Sequence, residues 1–320
     1  MKIGYIGLGN VGAKLATSLL RKGFDVTVLD VEPGAMRPLQ QAGARIADNA
    51  RSLAENNDIV ITCLPSPRIS AEVLEADDGV LAGLAPGKIW LEMSSTDVAD
   101  LKRLGQLVEA KGADALDCPV SGGCHRAATG NIAIFVGGRR EAFERVIPLL
   151  TAMGRNVLHT GELGTASIMK VATNYLAGVQ LISTGEAFMV AKKAGVDLGV
   201  AYEAIRISSG NSFVHETEGQ LILNGSYNIN FTMDLEVKDL SLFDELGKAY
   251  EVPLELSPLC VEIMKDGLRR YGPRVWSSMV VKRLEDDCGV DLRAPGFPEY
   301  LTDNESEQIG TEVIVRGRDQ

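Results

Sequence analysis

Short apolar runs alternate with segments of mixed apolar and charged residues through the first half of the chain. The runs Ile3 to Ile6, Val26 to Leu29, Ile59 to Leu64, Ile89 to Met93, Ala115 to Asp117 and Ile132 to Val136 have strand length. Runs that are apolar on both sides and separated by crossovers mark strands covered on both faces. The pattern predicts a doubly wound α/β parallel sheet with helices on either side. The rhythm stops near Gly161. From Thr165 to Lys193 the chain is rich in Ala, Met, Ile, Val and Leu and contains no proline, which predicts one largely buried helix of roughly 45 Å at 1.5 Å per residue. Helix-like segments follow at Val200 to Ser208, Met233 to Tyr250 and Leu256 to Tyr271. The expected organisation is an α/β domain over 1–162 and an all-α C-terminal domain over 163–285, joined by the long interdomain helix. Residues 286–320, with Pro295, Pro298, several glycines and many acids, are expected to form an irregular tail, partly mobile or laid on a partner subunit.

Composition narrows the class. At 320 residues the chain exceeds the size at which single cores stop growing. With 32 basic and 43 acidic side chains its formal charge is −11, and its basic residues stand singly or in short pairs such as Arg139-Arg140. That excludes a generic nucleic-acid surface, which needs clustered Lys and Arg, and leaves any small anionic ligand to a few placed groups. The longest uncharged stretches, Val171 to Gly185 and Gly219 to Met233, fall short of the about 20 apolar residues of a membrane span. Met1 to Ile6 enters a strand pattern at once, without signal-peptide features, so a cytoplasmic location is expected. Five cysteines without CxxC spacing and three scattered histidines fit reduced thiols and no metal site.

The first chemical signal is Gly7-Leu8-Gly9-Asn10-Val11-Gly12, directly after the opening strand and before the helix-like Ala13 to Lys22. Gly7 allows a tight turn, Gly9 a close approach of backbone to pyrophosphate, and Gly12 close packing of helix on strand. The helix start then offers unpaired N–H groups and the positive end of its dipole. Asp30, at the end of the second run, stands near the spacing expected of a carboxylate that binds the adenosine ribose hydroxyls. It favours NAD over NADP, because it would repel a 2′-phosphate and Val31 and Glu32 add no cation. Cys63 to Pro67 and Ser94 to Thr96 end two further strands where ligands of open α/β sheets bind. Asp117-Cys118-Pro119-Val120-Ser121-Gly122-Gly123 ends another. Ser121 and the two glycine N–H groups suit a carboxylate, and a tight turn that needs glycine suits them equally. In the long helix, Lys170 is an amine in an apolar setting, with Asn174 one turn on along the same face. Such an amine lining a cleft can accept a proton.

Taken in order, these motifs, together with Gly164 and Lys238-Asp239-Leu240, resemble those of the β-hydroxyacid dehydrogenases, also called the 3-hydroxyisobutyrate dehydrogenase family. The resemblance spans roughly residues 1–285. It implies a Rossmann-type cofactor domain and NAD-dependent hydride transfer at the carbinol carbon of a small 3-hydroxyacid. It also implies roles: Lys170 as general acid/base, Asn174 as a substrate-orienting amide, and Ser121, Gly122 and Gly123 as carboxylate binders. Leu64, Pro65, Thr96 and Lys238 correspond to cofactor-contacting positions. The alternatives are a semialdehyde reductase working in reverse, an imine-reductase-like enzyme, against which Lys170 argues, and a cofactor sensor without turnover. The sequence departs from the family at Cys124-His125-Arg126-Ala127, where relatives carry glycine in place of the arginine. Arg126 either pairs outward with a surface acid or, with His125, binds a second anionic group on the substrate. Asn211 and His215 either reach the substrate or sit on an exposed loop. The long apolar helix suggests a homodimer or homotetramer.

Overall fold

The apolar runs of the first half become neighbours in one sheet. In the computed structural model, which describes residues 1–317, the strands are β1 (Lys2–Ile6), β2 (Asp25–Leu29), β3 (Arg45–Ile46), β4 (Ile59–Thr62), β5 (Ile89–Glu92), β6 (Asp114–Asp117), β7 (Val120–Ser121), β8 (Ala133–Gly137), β9 (Asn156–Gly161) and β10 (Thr311–Glu312). Their order is β10-β9-β8-β6-β5-β4-β1-β2-β3, with β7 set against β8. Pairing is parallel except where β8 meets β6 and β7. The chain leaves β1 first toward β2 and β3, then returns to build outward from β4. The order therefore reverses beside β1, and the carboxyl ends of β1 and β4 form the switch point where such sheets bind ligands.

Alternate residues of each strand feed two cores. Ile61 pairs with Leu91 and Val60 with Trp90. Ile61 and Leu91 join Tyr5, Leu15, Val28 and Phe143 on one side, while Val60 and Trp90 join Leu53 and Leu104 on the other. All four residues of β4 and of β5 are buried, which is why these strands read as unbroken apolar runs.

The chain divides into two units. One is Met1–Lys170 with the chain from Asp303 onward, and the other is Val171–Thr302, so the first unit ends at Lys170 where the sequence suggests residue 162. The second unit is helical: Leu198–Arg206, Phe213–Asn224, Met233–Ala249, Leu256–Tyr271 and Lys282–Cys288 surround Phe188, Ile222, Met233, Leu240 and Met264. The long helix spans Thr165–Lys193 as expected, but Leu176 and Val190 on it are exposed, so it is less buried than its composition suggests. No helix among the described residues is long and apolar enough to cross a membrane.

Two expectations need correction. Asn211 lies in the loop that follows the exposed Ser208 to Gly210, but His215 is on a helix and not on an exposed loop. Ser212 caps the helix Phe213–Asn224 by accepting the His215 N–H at 3.0 Å, and the imidazole is fully buried, stacked on Tyr202 with Nε2 2.9 Å from the Tyr202 carbonyl. His215 is a structural residue of the helical unit. Asn211 donates to the Glu216 carboxylate at 2.5 Å.

The tail is the second correction, since it is laid on its own chain. Up to Thr302 it belongs to the helical unit: Leu292 is buried, and its N–H donates to Glu285 at 2.9 Å. Arg293 and the Tyr227 hydroxyl also donate to the Glu285 carboxylate, at 2.6 and 2.5 Å. From Asp303 the tail lies on the sheet unit, where β10 extends the sheet beside β9 and Glu312 takes a forked bond from Arg140. Residues 318–320 of the expected tail lie outside the described residues.

In the helix Phe213–Asn224, one oxygen of the Glu218 carboxyl has no hydrogen-bond partner, and burial pushes this group up to about 8. A carboxyl raised by folding holds its proton longer in the native than in the unfolded state, so stability falls as pH rises from the ordinary glutamate range toward 8. Glu218→Gln is expected to flatten this dependence. Urea midpoints compared between pH 5 and pH 8 check it, and identical slopes for wild type and variant would refute it.

Candidate active site

The cofactor turn is shaped by what glycine leaves out. Gly7 has φ +96°, and a Cβ there would lie 2.3 Å from the Cys63 carbonyl oxygen. A Cβ on Gly12 would lie 2.1 Å from the carbonyl oxygen of Gly7, so the turn closes on itself. Gly9 differs, because nothing lies within 4 Å of where its Cβ would be, and its exposed backbone faces open space. Asn10 is exposed and its carbonyl accepts Lys14 Nζ at 2.8 Å, while Val11 precedes the helix Gly12–Arg21 without a side-chain cap and leans on the core. The Asp30 carboxylate is fixed beside this turn, accepting the Leu8 N–H at 2.6 Å and the Glu32 N–H at 2.8 Å.

The loops after β4 and β5 are tied to each other. Leu64 N–H donates to Ser94 Oγ at 2.7 Å, and Ser94 N–H donates to Glu92 at 2.8 Å. Burial pushes the Glu92 carboxyl up, against the hydrogen bonds from Ser94. Leu64 reaches to 3.1 Å from the Cβ position of Gly7, which places it at the cofactor turn. Pro65 is exposed at the loop tip. Thr96 is buried at 3 % exposure, whereas its neighbour Ser95 is half-buried.

Beyond β6 the geometry turns on one carboxylate. Asp117 is fully buried; its two oxygens accept the N–H groups of Gly164 at 2.9 Å and Ser167 at 2.7 Å. These open the helix Thr165–Lys193, and Lys170, half-buried, follows three residues after Ser167. A Cβ on Gly137 would meet Asp117 Oδ1 at 2.3 Å, so the neighbouring strand supplies the room this carboxylate needs. Four residues past Asp117, Ser121 pairs with Ala133 across β7 and β8. Gly122 and Gly123 follow with φ of +126° and +84°, values that favour glycine. The Arg126 stem lies 3.4 Å from the Cβ position of Gly122, and the His125 ring 3.0 Å from that of Gly123. Arg126 Nη2 is 3.1 Å from Glu305 of the tail.

In the helical unit, Asn174 donates its amide to Asp239 at 2.5 Å, and Lys238 Nζ lies 3.1 Å from the other Asp239 oxygen. The buried Asp239 thus gathers Asn174 and Lys238. No group of three His, Cys, Asp or Glu among the described residues could hold a metal ion.

Comparison with known proteins places the chain in a family. The family model of the NAD-binding domain of 6-phosphogluconate dehydrogenase matches residues 2–161. The model described as NAD-binding of NADP-dependent 3-hydroxyisobutyrate dehydrogenase matches residues 164–284. The chain is 32 % identical to 2-(hydroxymethyl)glutarate dehydrogenase of Eubacterium barkeri, over 91 % of this chain and 97 % of that protein. It is 34 % identical to an NAD-dependent L-serine dehydrogenase of Pseudomonas aeruginosa, over 89 % and 98 %. The crystal structure of a 3-hydroxyisobutyrate dehydrogenase from Salmonella typhimurium superposes with a TM-score of 0.81 at 30 % identity, covering 88 % of this chain and 99 % of that one. The chain belongs to the 3-hydroxyisobutyrate dehydrogenase family.

Members of the family named above are dehydrogenases of hydroxyacids, and this protein is an NAD(P)-dependent oxidoreductase acting on CH–OH donors. The open side of Gly9 leaves its backbone approachable by a ligand, and the Asp30 carboxylate lies beside the same turn. For this family member the sequence missed the work of three buried acids, Glu92, Asp117 and Asp239. Each is buried, and its hydrogen-bond partners, not its spacing in the sequence, show what it does.

Asp117→Asn keeps the volume but turns an N–H₂ toward one of two backbone donors. Hydrogen bonds to a charged group contribute roughly 1.5–3 kcal/mol each, so loss of one should destabilise the protein by that order. Urea unfolding checks this; an unchanged midpoint would show the cap to be dispensable.

Proposed function

We propose that this family member oxidises a small 3-hydroxyacid with NAD, using Lys170 as the general acid/base. The observation that carries the reading is the pair of hydrogen bonds that the Gly164 and Ser167 N–H groups donate to the Asp117 carboxylate. It fixes the first turn of the helix bearing Lys170 to the strand that leads into Ser121, Gly122 and Gly123. The substrate class has a chemical basis in the relatives. The compounds named for them, 2-(hydroxymethyl)glutarate, L-serine, 3-hydroxyisobutyrate and L-threonate, share a hydroxyl on the third carbon counted from a carboxylate.

In this reading Ser121 Oγ and the N–H groups of Gly122 and Gly123 hold the substrate carboxylate. Asn174, its amide oriented by Asp239, steers the hydroxyl. Lys170 Nζ takes the hydroxyl proton during oxidation and returns it to the aldehyde oxygen in the reverse direction. Bound nicotinamide supplies the hydride chemistry. By the family resemblance, Gly7 to Gly12, Asp30, Leu64, Pro65, Thr96 and Lys238 are the cofactor-holding set. A reductase working from the semialdehyde would use the same groups. Assembly as a homodimer or homotetramer belongs to the proposal, supported by Leu176 and Val190 exposed on the long helix. A cytoplasmic site of action is supported by five cysteines that form no disulfide among the described residues.

Lys170→Ala is expected to lower kcat by about 10² to 10⁴-fold, the usual contribution of general acid/base catalysis, with NADH binding kept. Retained turnover would remove Lys170 from the mechanism. Asp30, held by two N–H groups beside the cofactor turn, supports NAD, since its charge opposes a 2′-phosphate. A panel of 3-hydroxyacids followed by the absorbance of reduced nicotinamide should give kcat/KM at least about tenfold higher with NAD than with NADP, and parity would overturn the preference.

A further inference from the structure

The tail beyond residue 284, outside both family models, brings a carboxylate to the edge of the Ser121–Gly123 loop. Asp303 accepts from Asn131 at 2.7 Å and from Thr129, at the end of the short helix that starts at Gly123. Glu305 follows, its N–H bonded back to Asp303 at 3.1 Å. Its carboxylate lies 3.1 Å from Arg126 and also pairs with Arg155. Glu307 then pairs with Lys22 at 2.9 Å and Arg21 at 3.1 Å, and β10 locks the segment to β9. Glu305 is thereby held from both sides over a guanidinium whose stem rests on Gly122.

We infer that Glu305 is a specificity-determining residue: by occupying Arg126 at the edge of the carboxylate cradle, it makes the enzyme favour 3-hydroxyacids with one negative charge over those with a second anionic group. The inference rests on the reading of Ser121 to Gly123 as that cradle. An exposed ion pair is weak by itself, but a carboxylate tethered at both ends competes at an effective concentration in the millimolar range. A distal substrate carboxylate at millimolar concentration must displace it from Arg126, and Glu305, kept close by Arg155, then stands beside the newcomer as a like charge. The surroundings agree. Burial and the Arg126 charge hold the His125 imidazole below its ordinary range while Asp303 opposes them, so the Arg126 cation and one tail acid both act electrostatically on this ring.

The test compares 2-(hydroxymethyl)glutarate with 2-(hydroxymethyl)pentanoate, which has a methyl group in place of the distal carboxylate. Glu305→Gln is expected to raise the dianion-to-monoanion ratio of kcat/KM at least about tenfold, a change of about 1.4 kcal/mol. Glu305→Ala, which removes the acceptor as well as the charge, should do at least as much. Adding Arg126→Gly to Glu305→Gln should abolish the gain; a gain that survives belongs to Arg155 and overturns the inference. An unchanged ratio in both Glu305 variants, with the monoanion still turned over, also overturns it. If wild type oxidises neither compound with NAD or NADP, the proposed substrate class falls instead. Calorimetric titration of glutarate into the NADH-loaded protein then decides the tail's role by itself, with tighter binding to Glu305→Gln expected and equal binding refuting it.

Discussion

The geometry around Lys170 depends on a single buried carboxylate. Four N–H groups at the start of any helix lack intrahelical partners, and Asp117 at the end of β6 accepts from Gly164, just before the helix Thr165–Lys193, and from Ser167 in its first turn. A carboxylate taken out of water is costly unless it is hydrogen-bonded. Burial does push this group up, and the two N–H donors and the positive end of the helix dipole oppose that shift. The same carboxylate needs room, which Gly137 provides by having no side chain. Because Asp117 closes β6 and Ser121 comes four residues later, one side chain fixes the starting point of both the cradle loop and the lysine helix.

What was legible in the sequence was local. Strands buried on both faces read as apolar runs, so β1, β2, β4, β5, β6 and β8 were visible. The glycine turn was visible because close backbone approach and positive φ exclude side chains. The limits of the long helix were equally clear. By contrast β3 and β10 are two residues long, too short to show a period, and β9 carries Asn156, His159 and Thr160 among its apolar positions. The helix Phe213–Asn224 was hidden behind Ser208-Ser209-Gly210-Asn211, although Ser212 was a capping signal in plain view. The roles of Asp117 and Asp239 could not be read at all, since their partners stand 47, 50 and 65 residues away.

The acidic balance also changes meaning. A charge of −11 reads at first as solubility alone. Glu305, Glu307 and Glu312, however, lie against Arg126, Arg155, Arg21, Lys22 and Arg140, so part of the excess is matched to cations on the sheet unit. No one of these pairs contributes much, about 0–1 kcal/mol each when exposed. Their effect lies in sequence. Set along one short segment and ended by a strand, they share the entropy cost of ordering it, because each successive bond closes only a short loop.

That arrangement also explains why Arg126 can replace a glycine without leaving an open cation beside the cradle. A lone guanidinium there would attract any dianion, including ones with no reactive hydroxyl, and so lower selectivity. With Glu305 over it, local charge is balanced, and under the proposed reading the glycine N–H groups and Ser121 would keep their directional claim on a single carboxylate when a ligand displaces the tail. Discrimination between ligands then comes from the repulsive element as much as from the attractive one. The substitution at Arg126 and the added acidic tail make physical sense as a pair, and either alone would change the charge the cradle presents.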